Sequence, residues 1–262
     1  MYSAKKRLAV LDESFKGSVL VAGDIHGDLE AFLSLKKVFQ KEKDAVLVFL
    51  GDYADRGDSG LEVIEGVQEL LARHPERVVA LKGNHEDYRK GKPYFSPWTL
   101  GWEVEEKLGK TWDEFYPEFE REFLSKLFLA FLIPGVALCV HGGVFSKLTR
   151  SDLESPTKEA EEALLWSDPW ELPEEAPNPR GAGVLFGPDC SAKVVRELGV
   201  MAIIRGHEPQ KAWNGPFSEH EGRVITLSCT GVYGGRPCLL KISLGEEMTT
   251  HDLVKNVVFL DL

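Results

Sequence analysis

Five times along the chain, a short apolar run stops at a turn dense in chemically active side chains. Residues 18–22 lead into Gly23-Asp24-Ile25-His26-Gly27-Asp28, and residues 45–50 into Gly51-Asp52-Tyr53-Ala54-Asp55-Arg56-Gly57. Residues 78–81 lead into Gly83-Asn84-His85-Glu86, residues 136–140 into His141-Gly142-Gly143, and residues 200–204 into Arg205-Gly206-His207-Glu208-Pro209. Apolar runs of this length between turn signals read as buried strands. The first two are followed by amphipathic stretches. Leu29, Phe32, Leu33, Leu35, Val38 and Phe39 fit one helical face. So do Leu61, Ile64, Val67, Leu70 and Leu71, after a capping box at Ser59–Glu62 and before the stop at Arg73-His74-Pro75. Strand, polar turn, helix, strand is the pattern of βαβ units with parallel strands, whose ligands collect beyond the carboxyl ends of the strands.

The rest of the chain is less regular. Residues 1–17 read as a polar lead-in with one short strand. The aromatic-rich segment 87–135 reads as a helical cap beside the sheet within a single domain, 1–262. It includes a helix over 119–132 that stops at Pro134-Gly135. Ser155-Pro156 is expected to start a helix through Leu165, residues 170–187 to form a loop, and a helix from about 191 to close at Gly199. Further strands are expected at 224–227, 239–243 and 257–260.

Asp24, His26, Asp52, Asp55, Asn84, His85, His141 and His207 all fall at strand ends, with Arg56 and Arg205 beside them. Carboxylate, imidazole and carboxamide oxygen or nitrogen are ligands for hard or borderline divalent cations. They are numerous enough for two sites that share one carboxylate. In such pairs a water between the cations becomes a hydroxide at neutral pH. The four cysteines show no CxxC spacing and join none of these turns. A net charge of −11 excludes a general nucleic-acid or membrane-surface binder, which needs a basic footprint. No apolar stretch is long enough to cross a membrane, and the opening residues lack the apolar core of a signal peptide. A reduced, cytoplasmic protein is expected.

These turns resemble the motifs of the calcineurin-like metallophosphoesterases. Leu165-Trp166-Ser167-Asp168-Pro169, and Asn178-Pro179-Arg180-Gly181 running on to Phe186-Gly187, are similar to the phosphoprotein-phosphatase branch of Ser/Thr protein phosphatases. The resemblance implies an α/β fold, a four-layer αββα sandwich of two mixed β-sheets with the metal site at strand C-terminal ends. It implies hydrolysis of phosphoserine and phosphothreonine monoesters in a protein or peptide by direct attack of a dimetal-bound hydroxide. Asp24, His26 and Asp52 would hold one cation, and Asp52, Asn84, His141 and His207 the other. Mn²⁺ is expected, with iron or zinc as substitutes. His85, oriented by Asp55, would be the general acid. Arg56, Arg180, Arg205 and Tyr233 would bind phosphate, with Arg205 equally readable as support behind the site. A dinucleoside tetraphosphatase or other small-molecule phosphatase of the same superfamily is the alternative. Asp28 reads as a helix cap, Glu86 as support for the ligands, His74, His220 and His251 as surface, and the glutamates at 159–162 as a solvated helix face.

Overall fold

The computed structural model describes residues 1–245 and 248–262. The first three expected strands, Ser18–Ala22, Ala45–Phe49 and Val78–Ala80, pair in parallel in that order. Helices α1 (Leu29–Lys41) and α2 (Gly60–Arg73) make the crossovers. Cys238–Ser243 and then Val257–Phe259 extend the sheet antiparallel, giving five strands. A second sheet of seven strands runs in the order Tyr2–Lys5, Leu8–Leu11, Ala130–Ile133, Ala137–Val140, Ala202–Arg205, Val224–Thr226, Phe217–Glu219. It too mixes parallel and antiparallel neighbours.

The alternation of side chains along a strand sets the layers. Val19, Val21, Val46 and Val48 face the second sheet and meet Cys139, Ile204 and Ile225 there. Leu20, Ala22, Leu47 and Phe49 face the other way, onto Phe32 and Leu35 of α1 and Ile64 and Val67 of α2. On the far side of the second sheet, Leu132, Leu138 and Val140 cover Leu153, Leu164 and Val194, from helices Arg150–Glu154, Lys158–Trp166 and Pro188–Leu198. The order helix, sheet, sheet, helix is the αββα sandwich.

Several local expectations are corrected. The lead-in holds two strands, an edge hairpin of the second sheet. The helix expected over 119–132 ends at Glu122. Residues 130–133 are instead a central strand, because a short, wholly apolar run suits a sheet buried on both faces. Before it, α3 (Leu100–Leu108) and α4 (Trp112–Glu122) lean on α2, and Trp98, Trp112, Phe115 and Phe119 join the core of the first sheet. Trp102 is an exception and points to solvent. Ser155 and Pro156 precede the next helix rather than start it, and Thr157 caps it. The 170–187 loop contains strands Glu175–Pro177 and Val184–Phe186 of a small third sheet. The glutamates of 159–162 are only partly solvated, since Glu161 pairs with Lys82 and Glu162 with Arg89.

Candidate metal centre and active site

The five polar turns meet at one edge of the sandwich. Asp24, His26, Asp52 and Asn84 come from the first sheet, His141 and His207 from the second. The two sheets are stitched there by a bridge between Asp24 and Ser228. The turns are sharp: His26, Asp52, Asp55, Arg56 and His207 all have φ between 50° and 76°. Each such L-residue costs about 1 kcal/mol or more, and strain of this kind gathers where side-chain aim matters. Two glycines allow close approach. A Cβ on Gly83 would fall on the Asp52 carboxylate, and one on Gly206 on that of Asp24.

Glu86 lashes two of the turns together. Its Oε2 accepts from the amides of Asp52 (2.9 Å) and Gly83 (2.8 Å), and its Oε1 accepts from Tyr53 (3.1 Å). Tyr53 anchors its turn from within. It is fully buried and donates its hydroxyl to Leu81 O at 2.7 Å. Asp28 accepts from the Ala31 amide as the cap of α1, and its other oxygen takes the Gly231 amide at 2.7 Å.

The hydrogen-bond pattern shows what the centre lacks. His141 Nδ1 lies 3.0 Å from the Leu50 carbonyl, so that nitrogen carries the proton. A neutral His141 therefore presents a lone pair at Nε2. That lone pair faces two more acceptors, Asn84 Oδ1 at 2.9 Å and Asp52 Oδ1 at 3.3 Å. His207 Nδ1–H can donate to the same Asn84 oxygen at 2.7 Å, which leaves the lone pair of its Nε2 buried with no hydrogen-bond partner among the described residues. The pattern repeats at His26. Its Nδ1 lies 3.1 Å from Ala54 O, and its Nε2 faces Asp52 Oδ2 at 3.5 Å and Asp24 Oδ2 at 3.8 Å. Asp24 Oδ2 is buried with no hydrogen-bond partner among the described residues. Acceptors converging on acceptors repel unless a cation lies between them. The residues therefore fit two cations that share Asp52. In the same sense, His26, Asp52 and His85 form one compact cluster of ligand-type atoms, and Asp52, His141 and His207 a second.

The titration behaviour points to the same shortage of positive charge: burial would lower His141, but the carboxylates of Asp52 and Asp24 raise it. Burial, then the charge of Asp52, pushes the Asp24 carboxyl up to about 6. Burial also raises Asp52, but the fields of His141, His85 and His26 outweigh it and hold that carboxyl well below its usual range. Burial drives His26 down to about 4 and His207 well below its ordinary value, so both stay neutral and able to donate lone pairs. His85 moves the other way. Burial would lower it, but Asp52 and the hydrogen bond from its Nδ1 to Asp55 Oδ2 (2.8 Å) raise it. The other Asp55 oxygen accepts from the amides of Thr99 (2.6 Å) and Leu100 (2.9 Å), which ties this pair to the start of α3.

His26, Asp52, Asn84, His85 and His207 line a cleft of about 650 Å³ with Arg56, Phe95, Ser96, Trp166, Arg180 and Tyr233. Arg56 donates to Ser96 O at 3.1 Å, and its Nε is buried without a partner among the described residues. Arg180 is held by its Nε on Asp168 Oδ2 at 2.6 Å, and its guanidinium reaches the cleft. Tyr233 packs edge-on to His26, ring centroids 5.7 Å apart.

Arg205 is a correction. It is wholly buried and does not line the cleft. Its guanidinium is held by Gly142 O, Glu208, Thr226 and Asp168, the last at 3.0 Å, so it stands behind the site and cannot grip a phosphate. His220 also departs from a surface reading, being held between Ser191 Oγ and Trp170 O at 2.9 Å each. Sequence reasoning assigned no role to Asp168. It joins Arg180, Arg205 and Asn178 and approaches His207 Nε2 to 3.8 Å. Its signal in the sequence was its place in the Leu165–Pro169 motif.

Residues 17–211 match the family model described as calcineurin-like phosphoesterase. The chain is 33% identical over 217 residues to a serine/threonine-protein phosphatase of Caenorhabditis elegans, covering 79% of this chain and 46% of that protein. It is 30% identical over 222 residues to serine/threonine-protein phosphatase 5 of Arabidopsis thaliana, covering 80% and 39%. The chain thus spans less than half the length of these relatives. A solved protein serine/threonine phosphatase from Saccharomyces cerevisiae superposes with a TM-score of 0.79 at 25% identity, covering 98% of this chain and 83% of that one.

Proposed function

Because the chain belongs to the calcineurin-like phosphoesterase family, we propose that it hydrolyses phosphoserine and phosphothreonine monoesters in proteins or peptides. The observation that carries this reading is the convergence of two arginines and an oriented histidine over a shared-carboxylate ligand cluster, in one cleft of about 650 Å³. Asp24, His26 and Asp52 would hold one cation, and Asp52, Asn84, His141 and His207 the other. We assign Asp24 rather than His85 to the first, since His85 is engaged by Asp55 while Asp24 Oδ2 is buried without a partner. The donor set contains no thiolate and suits Mn²⁺, with iron or zinc accepted by the same groups. Two such cations supply charge compensation for a phosphoryl group and an acidified water.

The side chains supply the rest. Arg56 and Arg180 meet the phosphate oxygens as charge spreads over them. Arg180 keeps its terminal nitrogens for this task because Asp168 takes only its Nε. His85 holds a proton at Nε2 while its Nδ1–H is donated to Asp55. It can therefore protonate the departing serine or threonine oxygen, a poor leaving group as an alkoxide. Tyr233 closes one wall of the cleft. The four cysteines, all buried and unpaired, suit a reducing, cytoplasmic setting.

The test is turnover of a panel: phosphoserine and phosphothreonine peptides, a phosphotyrosine peptide, and diadenosine tetraphosphate. Chelation is expected to abolish hydrolysis and Mn²⁺ to restore it. Activity persisting in excess chelator overturns the two-cation reading. Faster cleavage of diadenosine tetraphosphate than of any phosphopeptide overturns the substrate class.

A further inference from the structure

Beyond Tyr233 the cleft wall opens onto an exposed apolar patch. Trp213, Val232, Phe259 and Leu262 are 44%, 39%, 38% and 63% exposed. They form one surface although they come from three stretches of chain. The Trp213 indole lies directly on Gly234, where a Cβ would meet the ring at 2.7 Å, and Trp213 O accepts from the Arg236 amide at 2.8 Å. The Arg236 guanidinium lies over the Phe259 ring, 3.9 Å from its centroid. Leu262 flanks Gly231. The patch is continuous with the cleft, since Gln210 and Lys211 line the cleft just before Trp213, and Tyr233 lines it between Val232 and Gly234.

The charges here are unequal. Lys211 is held by Glu208 and Glu219. Arg236 has no ion-pair partner among the described residues, in a chain of net charge −11. A guanidinium stacked on an aromatic face is weakly hydrated and pre-organised, and keeps its forked donors for a carboxylate. Exposed aromatic area beside an arginine with no ion-pair partner among the described residues is the composition of a binding hot spot.

We infer that Trp213, Phe259 and Arg236 form a docking shelf for the polypeptide flanking the phosphorylated residue. The shelf takes one apolar side chain against the indole and phenyl faces and one carboxylate on Arg236. This rests on the phosphoprotein reading above and narrows it: the favoured substrate carries apolar and acidic residues beside its phosphoserine. A phosphate monoester without a peptide gains nothing from the shelf.

The test uses the full chain with Mn²⁺ and phosphoserine peptides that differ only in the residues on both sides of the phosphoserine. One set has leucine and glutamate, one leucine and lysine, one alanine and glutamate. The readout is the ratio of kcat/KM between peptides for the same protein, which cancels any loss of folded enzyme. The wild-type chain is expected to favour glutamate over lysine by about two- to fivefold, the range of an exposed ion pair. Arg236→Glu is expected to invert that ratio. Phe259→Ala is expected to remove most of the preference for leucine over alanine. Equal rates on all peptides, with both ratios unmoved in the variants, overturn the shelf and leave the phosphatase reading standing. Hydrolysis of p-nitrophenyl phosphate with no turnover of any peptide overturns both. A wild-type dimer in sedimentation that Phe259→Ala turns into monomer assigns the patch to a second copy of the chain and overturns the substrate reading.

Discussion

At the scale of single residues, the site works by pairing each reactive group with one that fixes it. His85 has Asp55, Arg180 has Asp168, and His26 and His141 each face a backbone carbonyl that sets their tautomer. The proposed role of His85 makes a sharp expectation. His85→Ala should cost about 10²- to 10⁴-fold in kcat on a phosphoserine peptide, the usual worth of general acid catalysis. It should cost much less on p-nitrophenyl phosphate, whose leaving group needs no proton. Equal losses on the two substrates would remove His85 from proton transfer. The side-chain types and chain order of the proposed ligands were legible in the sequence because metal chemistry restricts them to a few side chains, while the choice among them came from the likeness of the motifs. The fate of Arg205 was not. An arginine beside a ligand histidine reads the same whether it faces the cleft or is enclosed by Asp168, Glu208 and the Gly142 carbonyl, and those partners lie 3 to 63 residues away.

At the scale of elements, strands and crossover helices were readable because they carry period 2 and period 3.6. Short buried strands were not. Residues 130–133 are apolar throughout, and such a run fits a buried helix segment as well as a strand. The start of α2 shows a second limit. Ser59-Gly60-Leu61-Glu62 has the sequence of a capping box, yet the Ser59 side chain caps nothing. The carboxylate of Glu103, on α3, does so instead, accepting from the amides of Gly60 (3.1 Å) and Leu61 (3.2 Å) while Lys107 holds it at 3.0 Å. A local signature was displaced by a tertiary one. Glu103→Ala leaves two buried amides without an acceptor and is expected to destabilise the fold by about 1–3 kcal/mol. Denaturant unfolding reads this as a lower midpoint at unchanged slope. Glu103→Gln, which keeps one acceptor oxygen, is expected to lose less. An unchanged midpoint in Glu103→Ala would show that Ser59 takes over the cap.

At the scale of the whole molecule, the sandwich gathers the carboxylates of Asp24 and Asp52 at one buried edge, each in the field of the other. Asp24 feels this as a carboxyl raised to about 6 by burial and by Asp52. A cation that binds only the folded chain stabilises it by mass action, about 2.7 kcal/mol at a hundredfold excess over its dissociation constant. Mn²⁺ is therefore expected to raise the unfolding temperature of the wild-type chain, and Asp52→Asn to lose most of that increment because both sites share this carboxylate. An Asp52→Asn variant stabilised as strongly as wild type would remove Asp52 from the bridging position. The two-sheet stacking itself was not derivable from strand patterns. It entered through the likeness of the motifs, since a buried strand does not say which sheet covers it. That stacking also divides the ligands by chain order. Asp24, His26, Asp52 and Asn84 lie in the first third of the chain, whereas His141 and His207 arrive on the second sheet. A ribosome that has released only the first hundred residues has made four ligands and no complete centre. On the proposed ligand set, hydrolysis therefore waits until the later half of the chain has docked onto the earlier one, and a nascent chain without its second sheet is expected to be silent.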